Sequence, residues 1–208
     1  MKRQIVTIHG GDVHNNEVSY LRALRAWTIE KDELVSNPTM QGWKSNLHAA
    51  LGEGYEVLSP EMPNWMNAKY AEWKIWFEKL FKFLDNGPIF IGHSLGGIFL
   101  ARYFAENADK KKITALFLVA APYRDRDSKD QLADFVLPKD LSRLEKLGDK
   151  VHLYASEDDP VVSFSSFKKY AKLLPQARTT VFKNKGHFRM AEFPEIVKDI
   201  NAAFAERQ

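Results

Sequence analysis

Short apolar runs rich in Val, Ile and Phe alternate along this chain with longer stretches in which apolar residues recur every three or four positions. The runs Gln4–Ile8, Tyr55–Ser59, Pro88–Ile91, Ile113–Ala120, Val151–Ala155 and Thr179–Phe182 predict strands. Between them, Trp43–Leu51, Asn67–Leu84, Leu95–Glu106, Leu141–Leu147, Phe164–Leu174 and Pro194–Glu206 predict helices, most with one apolar face over two or more turns. Strands that alternate with helices predict an α/β fold: a mainly parallel central sheet with helices on both faces. Ligands of such sheets bind beyond the carboxyl ends of the strands. Gly10, Ser94, Ala121, Asp159 and Gly186-His187 all fall at those ends.

Two stretches interrupt the alternation. Gly11 to about Met40 is longer than an ordinary strand-to-helix loop and carries a polar helical pattern from Glu17 to about Leu34, which predicts an elaborated loop beside the site. Pro122 to Asp140 opens with Tyr123-Arg124-Asp125-Arg126-Asp127, a charged excursion long enough for a small flap but not for a lid domain. Neither a repeat nor an interdomain linker is visible, and 208 residues suit one domain spanning 1–208.

The chemistry starts at Pro88-Ile-Phe-Ile-Gly-His-Ser-Leu-Gly-Gly97, an apolar strand that runs into Gly-x-Ser-x-Gly and then into a helical pattern. That context makes Ser94 the candidate nucleophile, held on a sharp strand-to-helix turn that needs glycine on both sides. A serine hydroxyl is a poor nucleophile at neutral pH, so it requires a base and a group that orients the base. His187 follows the last strand in Lys185-Gly186-His187-Phe188. Asp159 follows the fifth in Ser156-Glu157-Asp158-Asp159-Pro160, with Asp158 as the competing acid. An oxyanion needs two backbone N–H donors. Leu95 directly follows the nucleophile, and the loop His9-Gly10-Gly11-Asp12 offers the amide of Gly11, or that of Asp12. Trp65, Tyr123 and Phe188 are candidate pocket-lining aromatics, whereas Trp73, Trp76 and Phe77 read as core. His48 and His152 read as structural, and His93 as packing beneath the serine turn.

Composition removes most rival chemistries. The chain has no cysteine, which excludes thiol nucleophiles, disulfides and thiolate metal sites. His9, Asp12 and His14 form the obvious metal-like cluster, but no His-Glu-x-x-His helix accompanies them, and Gly10-Gly11 lacks the order of a dinucleotide loop. No cofactor or metal is expected. A net charge of +3, with both signs interspersed, argues against a nucleic-acid partner. The N-terminus lacks a signal-peptide pattern and no apolar run approaches membrane-spanning length, so a cytoplasmic protein with a small-molecule partner is expected. Oligomeric state is not readable.

With these motifs in place, the chain resembles α/β-hydrolase-fold serine hydrolases with a minimal lid. Within that superfamily it is similar to the one-domain serine hydrolases of the retinoblastoma-binding-protein type, whose Ser-x-x-Asp-Pro and Gly-His-Phe correspond here to Ser156–Pro160 and Gly186–Phe188. The reading implies a carboxylic ester of a small or medium acyl substrate, cleaved through an acyl-enzyme. An amide or thioester would use the same apparatus, and a binding protein with slow or incidental hydrolysis is the alternative of another class.

Overall fold

Six strands lie side by side in one sheet in the order β2-β1-β3-β4-β5-β6, every neighbouring pair parallel. The strands are β1 (Arg3–Ile8), β2 (Tyr55–Leu58), β3 (Ile89–His93), β4 (Ala115–Val119), β5 (Val151–Ser156) and β6 (Arg178–Phe182). The structure is a computed structural model, and it describes residues 2–28, 42–124 and 132–206. Of the four inner strands, β3, β4 and β5 are buried at every position and β1 at all but its first, which explains why their sequences are nearly unbroken apolar runs.

Successive side chains of a strand point to opposite faces, and the core divides accordingly into two layers. Val6, Ile8, Phe90, Leu116, Leu118 and Leu153 join a larger cluster with helices α3 (Tyr70–Lys79), α4 (Leu95–Asn107), α5 (Ser142–Glu145) and α6 (Phe164–Leu173). Ile5, Ile89, Ile91, Phe117 and Tyr154 face the other way, against α2 (Trp43–Leu51) and α7 (Pro194–Ala205). This is the doubly covered sheet that the alternation predicts. No helix of the described residues is long and apolar enough to cross a membrane.

Departures from the expected elements have local causes. The pattern at Asn67–Leu84 resolves into α3 flanked by two 3₁₀ turns, Trp65–Asn67 and Leu80–Phe83. Trp76 is exposed on α3 rather than part of the core, whereas Trp73 and Phe77, on the sheet-facing side, are fully buried. The helix expected from Glu17 to about Leu34 is present as α1 (Glu17–Ala26), started by a reciprocal Asn16–Ser19 capping box. The helix stops short of the expectation at Ala26, where Trp27 turns extended; residues 29–34 of that expectation, and Asp125, Arg126 and Asp127 of the charged excursion, lie outside the described residues.

Candidate active site

Ser94 is the single residue between β3 and α4, and it sits at φ 55° and ψ −122°, a region that L-residues rarely enter. The chain can make this turn because its neighbours have no Cβ. One placed on Gly92 would come within 2.3 Å of the Gly96 carbonyl oxygen, and one on Gly96 within 2.4 Å of the Ile8 carbonyl oxygen. The end of β1 thus presses against the start of α4. The Ser94 amide donates to the Val119 carbonyl at 2.9 Å, which ties the turn to β4. Leu95 opens α4, where N–H groups have no acceptor within the helix.

The ends of β5 and β6 bring the acid and the imidazole together. His187 Nδ1 donates to Asp159 at 2.9 Å (Oδ2) and 3.1 Å (Oδ1), and this pair is almost wholly shielded from solvent. With Nδ1 engaged, Nε2 is the nitrogen left for a substrate or a hydroxyl. Burial pushes the His187 pKa below the usual histidine value; Asp159 opposes the shift, and Arg189 and Lys44 add to it. The imidazole is therefore neutral at neutral pH and able to accept a proton. Asp158 points elsewhere: it accepts from the Ser156 hydroxyl at 2.5 Å and the Gly186 amide at 2.9 Å. Ser156 Oγ in turn accepts from the Lys185 amide at 2.9 Å, so these two side chains strap the His187 loop to the end of β5.

A second set of contacts holds the same loop from the opposite side. His93 Nε2 donates to the His187 carbonyl at 2.9 Å, and Lys44 Nζ donates to His93 Nδ1 at 3.2 Å. Trp43 Nε1 donates to the Phe188 carbonyl at 3.1 Å. His93 is fully enclosed and its pKa is driven well below the ordinary value, chiefly by burial, so it serves as a neutral strut rather than simple packing.

The loop after β1 is arranged by His9. The Met62 amide donates to His9 Nε2 at 2.8 Å, which places the ring proton on Nδ1, where it is donated to the Gly10 carbonyl. In a trans peptide the C=O and the following N–H point in opposite directions, so His9 also sets the direction of the Gly11 N–H. The Asp12 amide already donates to the Trp65 carbonyl at 2.8 Å, which leaves Gly11 as the better oxyanion candidate. A Cβ on Gly11 would lie 2.7 Å from the Trp65 carbonyl oxygen and 3.4 Å from both Leu95 and Trp73 side-chain carbons, so Gly11 and Leu95 are neighbours. With one nitrogen engaged by Gly10 and the other by Met62, His9 is not free to bind a metal. Among the described residues no three His, Asp or Glu side chains gather as a metal site would require.

A cavity of about 380 Å³ joins these parts, lined by Gly10, Gly11, Ser94 and His187 together with Trp27, Trp65, Phe188, Lys44 and Arg189. It falls within the roughly 300–1,000 Å³ usual for small-molecule sites. Trp65 and Phe188 thus line the cavity. Tyr123 does not: it is buried against Tyr170, ring centres 5.2 Å apart, because the chain turns at Ala120 (φ 46°) and sends it toward α6. Sequence reasoning missed Trp27, Lys44 and Arg189 on the cavity wall and the supporting roles of Ser156, Asp158 and His93. The Ser-x-x-Asp-Pro pattern marked the first pair, and the placement of His93 beside Ser94 marked the third.

A parallel sheet whose third strand turns through a strained serine into a helix, with a buried histidine–carboxylate pair at the ends of later strands, defines the α/β-hydrolase class. Within it the chain belongs to the serine hydrolase family, whose model matches residues 35–196. It is similar to serine hydrolase RBBP9 of Rattus norvegicus, 27% identical over 165 residues, which cover 77% of this chain and 86% of that protein. Among solved structures, the ydeN gene product of B. subtilis superposes with a TM-score of 0.75 at 18% identity, covering 98% of this chain and 100% of that one. Est1E of Butyrivibrio proteoclasticus gives a TM-score of 0.59 at 14% identity, covering 99% and 88%. At these identities the two structures speak for the fold.

Proposed function

We propose that this serine hydrolase cleaves carboxylic esters of small or medium acyl groups through an acyl-enzyme, with Ser94 as nucleophile, His187 as general base and acid, and Asp159 as the group that orients His187. The observation that carries the reading is the buried His187–Asp159 hydrogen bond on the wall of the cavity that also holds the strained Ser94. His187 Nε2 takes the hydroxyl proton as Ser94 Oγ bonds to the ester carbonyl carbon; the alcohol then leaves with that proton. A water molecule, deprotonated by the same nitrogen, attacks the acyl-serine and releases the acid, which restores the free hydroxyl. Through both steps the Leu95 and Gly11 amides receive the negative oxygen. Asp159 holds the imidazole tautomer and stabilises its charged form.

The test is labelling by a fluorophosphonate together with turnover of a 4-nitrophenyl ester. Wild-type protein is expected to be labelled at Ser94 and to hydrolyse the ester. Ser94→Ala should lose both while keeping the same thermal unfolding profile. Turnover that survives this substitution would remove Ser94 from the reaction. Esters, amides and thioesters of one acyl group then rank the leaving groups, with the ester expected first.

A further inference from the structure

The wall of the Ser94 cavity carries two cations, Lys44 and Arg189, that the proposed ester hydrolysis does not bring into contact with substrate. Lys44 lies in the first turn of α2, where the positive end of the helix dipole disfavours a cation. Its pKa is pushed down to about 8, first by burial and then by the charge of Arg189. Arg189 follows His187 by two residues and lines the same cavity. The two cations are held near each other by the backbone. The Trp43 amide donates to the Met190 carbonyl at 2.8 Å, and a Cβ on Gly42 would meet the Arg189 carbonyl oxygen at 3.3 Å. Among the described residues no carboxylate lies within ion-pair distance of Lys44 or Arg189. Asp12 is the acidic side chain that the described residues place on the cavity wall; burial raises its pKa while His14 and Arg189 lower it, so the carboxylate that Arg189 senses is itself costly to keep charged there. Lys44 has no carboxylate of that kind among the described residues, and two like charges, Lys44 half-buried and Arg189 exposed, cost stability that an anionic ligand offsets. Lys44 spends one N–H on His93 and retains two; Arg189 retains a guanidinium suited to a carboxylate.

We propose that Lys44 and Arg189 form an anion subsite, so that the preferred substrates carry a carboxylate within reach of the scissile acyl bond, beside the aromatic wall of Trp27 and Trp65. This rests on the serine-hydrolase reading of the same cavity. The carboxylate belongs to the acyl chain or to the leaving group, and both positions use the same recognition.

Paired esters of matched size test it at low ionic strength. 4-Nitrophenyl hemiadipate against 4-nitrophenyl hexanoate places the charge on the acyl side, and 4-carboxyphenyl hexanoate against phenyl hexanoate places it on the leaving group. In one of the pairs, kcat/KM should favour the anionic member by about tenfold. That ratio should fall several-fold in Arg189→Met and approach unity in the Lys44→Met/Arg189→Met double variant. Preference for the neutral ester in both pairs, or an anionic preference that persists in the double variant, overturns the proposal. A binding measurement keeps this result separate from the fate of the hydrolytic reading. Tryptophan fluorescence of Ser94→Ala protein, titrated with adipate and with adipamide, should show adipate binding about tenfold more tightly. Equal affinities overturn the anion subsite even if ester turnover depends on Ser94. Tighter adipate binding sustains it even if turnover survives Ser94→Ala.

Discussion

The Ser94 turn and the His187 loop face each other across one cavity, yet they are held in place by different means. Backbone against backbone fixes the turn: Gly92, Gly96 and the end of β1 approach so closely that no side chain fits between them. The loop is fixed by side chains drawn from distant parts of the chain, with Ser156 and Asp158 on one side and His93 and Trp43 on the other. A site half built from close contact and half from polar struts should respond to substitution in two ways. Added volume should break the first half as a whole. Loss of a single hydrogen bond should detune the second by degrees.

The sharpest separation is expected at two adjacent carboxylates of the loop. Asp159 holds His187 Nδ1, so Asp159→Asn should lower kcat by about 10⁴, the loss typical when a triad imidazole is held in the wrong tautomer. Asp158 holds only the Gly186 amide and the Ser156 hydroxyl, and Asp158→Asn should lower kcat by about tenfold or less. Steady-state kinetics on one ester compares them directly. Equal losses would mean that positioning by the struts matters as much as the tautomer.

On the other side of the cavity, Gly96→Ala should act on stability before activity. Its methyl group would have to displace the Ile8 and His9 carbonyls, which lie 2.4 Å and 2.6 Å from the Cβ position. Destabilisation of about 3 kcal/mol, the upper part of the range for an overpacked interior, should appear as a lower denaturant midpoint. A stable Gly96→Ala protein would show that the turn has slack that the close contacts deny.

This contrast also explains what was legible in the sequence. The inner strands were readable because burial on both faces leaves an unbroken apolar run, as in Ile89-Phe90-Ile91, and the half-exposed edge strands β2 and β6 by their β-branched and aromatic residues between helical patterns. The sharp turn at Ser94 was readable because glycine identity records close backbone approach, and the Asp159–His187 pairing because each candidate stands at a strand end in a local motif. The struts were legible as positions, through Ser-x-x-Asp-Pro and the place of His93 beside Ser94, but not as contacts, since a hydrogen bond from His93 to residue 187 leaves no mark in local spacing. Nor did Tyr123 betray that a left-handed Ala120 would turn it into the core. Lys44 was hidden for a related reason: at a helix start it reads as a solvated cation until the sheet brings Arg189 and His93 beside it.

A smaller effect is expected at His93, which donates to the His187 carbonyl and accepts from Lys44. His93→Phe keeps a ring of similar size beneath the turn but leaves the His187 carbonyl without its donor. The cost should be about 1–3 kcal/mol of stability, the usual penalty for a buried acceptor left unpaired. Denaturant titration measures the cost, and a parallel fall in kcat would show that the loop has shifted with it.

The finest probe of the loop is its pH profile. In the proposed reaction His187 must be neutral to accept the Ser94 proton, so kcat/KM for a neutral ester should rise with pH and level off above the His187 pKa. Burial lowers that pKa first, Asp159 raises it, and the charges of Arg189 and Lys44 lower it further. The acidic limb should therefore fall below the ordinary histidine value of about 6.5. Arg189→Met removes a positive charge that disfavours imidazolium, so the protonated form gains and the limb moves to higher pH. High salt should move the wild-type limb the same way by screening Arg189, and it should have less effect on the variant. A limb that stays in place in Arg189→Met would show that solvent already screens this charge from the imidazole. Burial and Asp159 would then set the titration by themselves, and the loop would be electrostatically as self-contained as the serine turn is sterically.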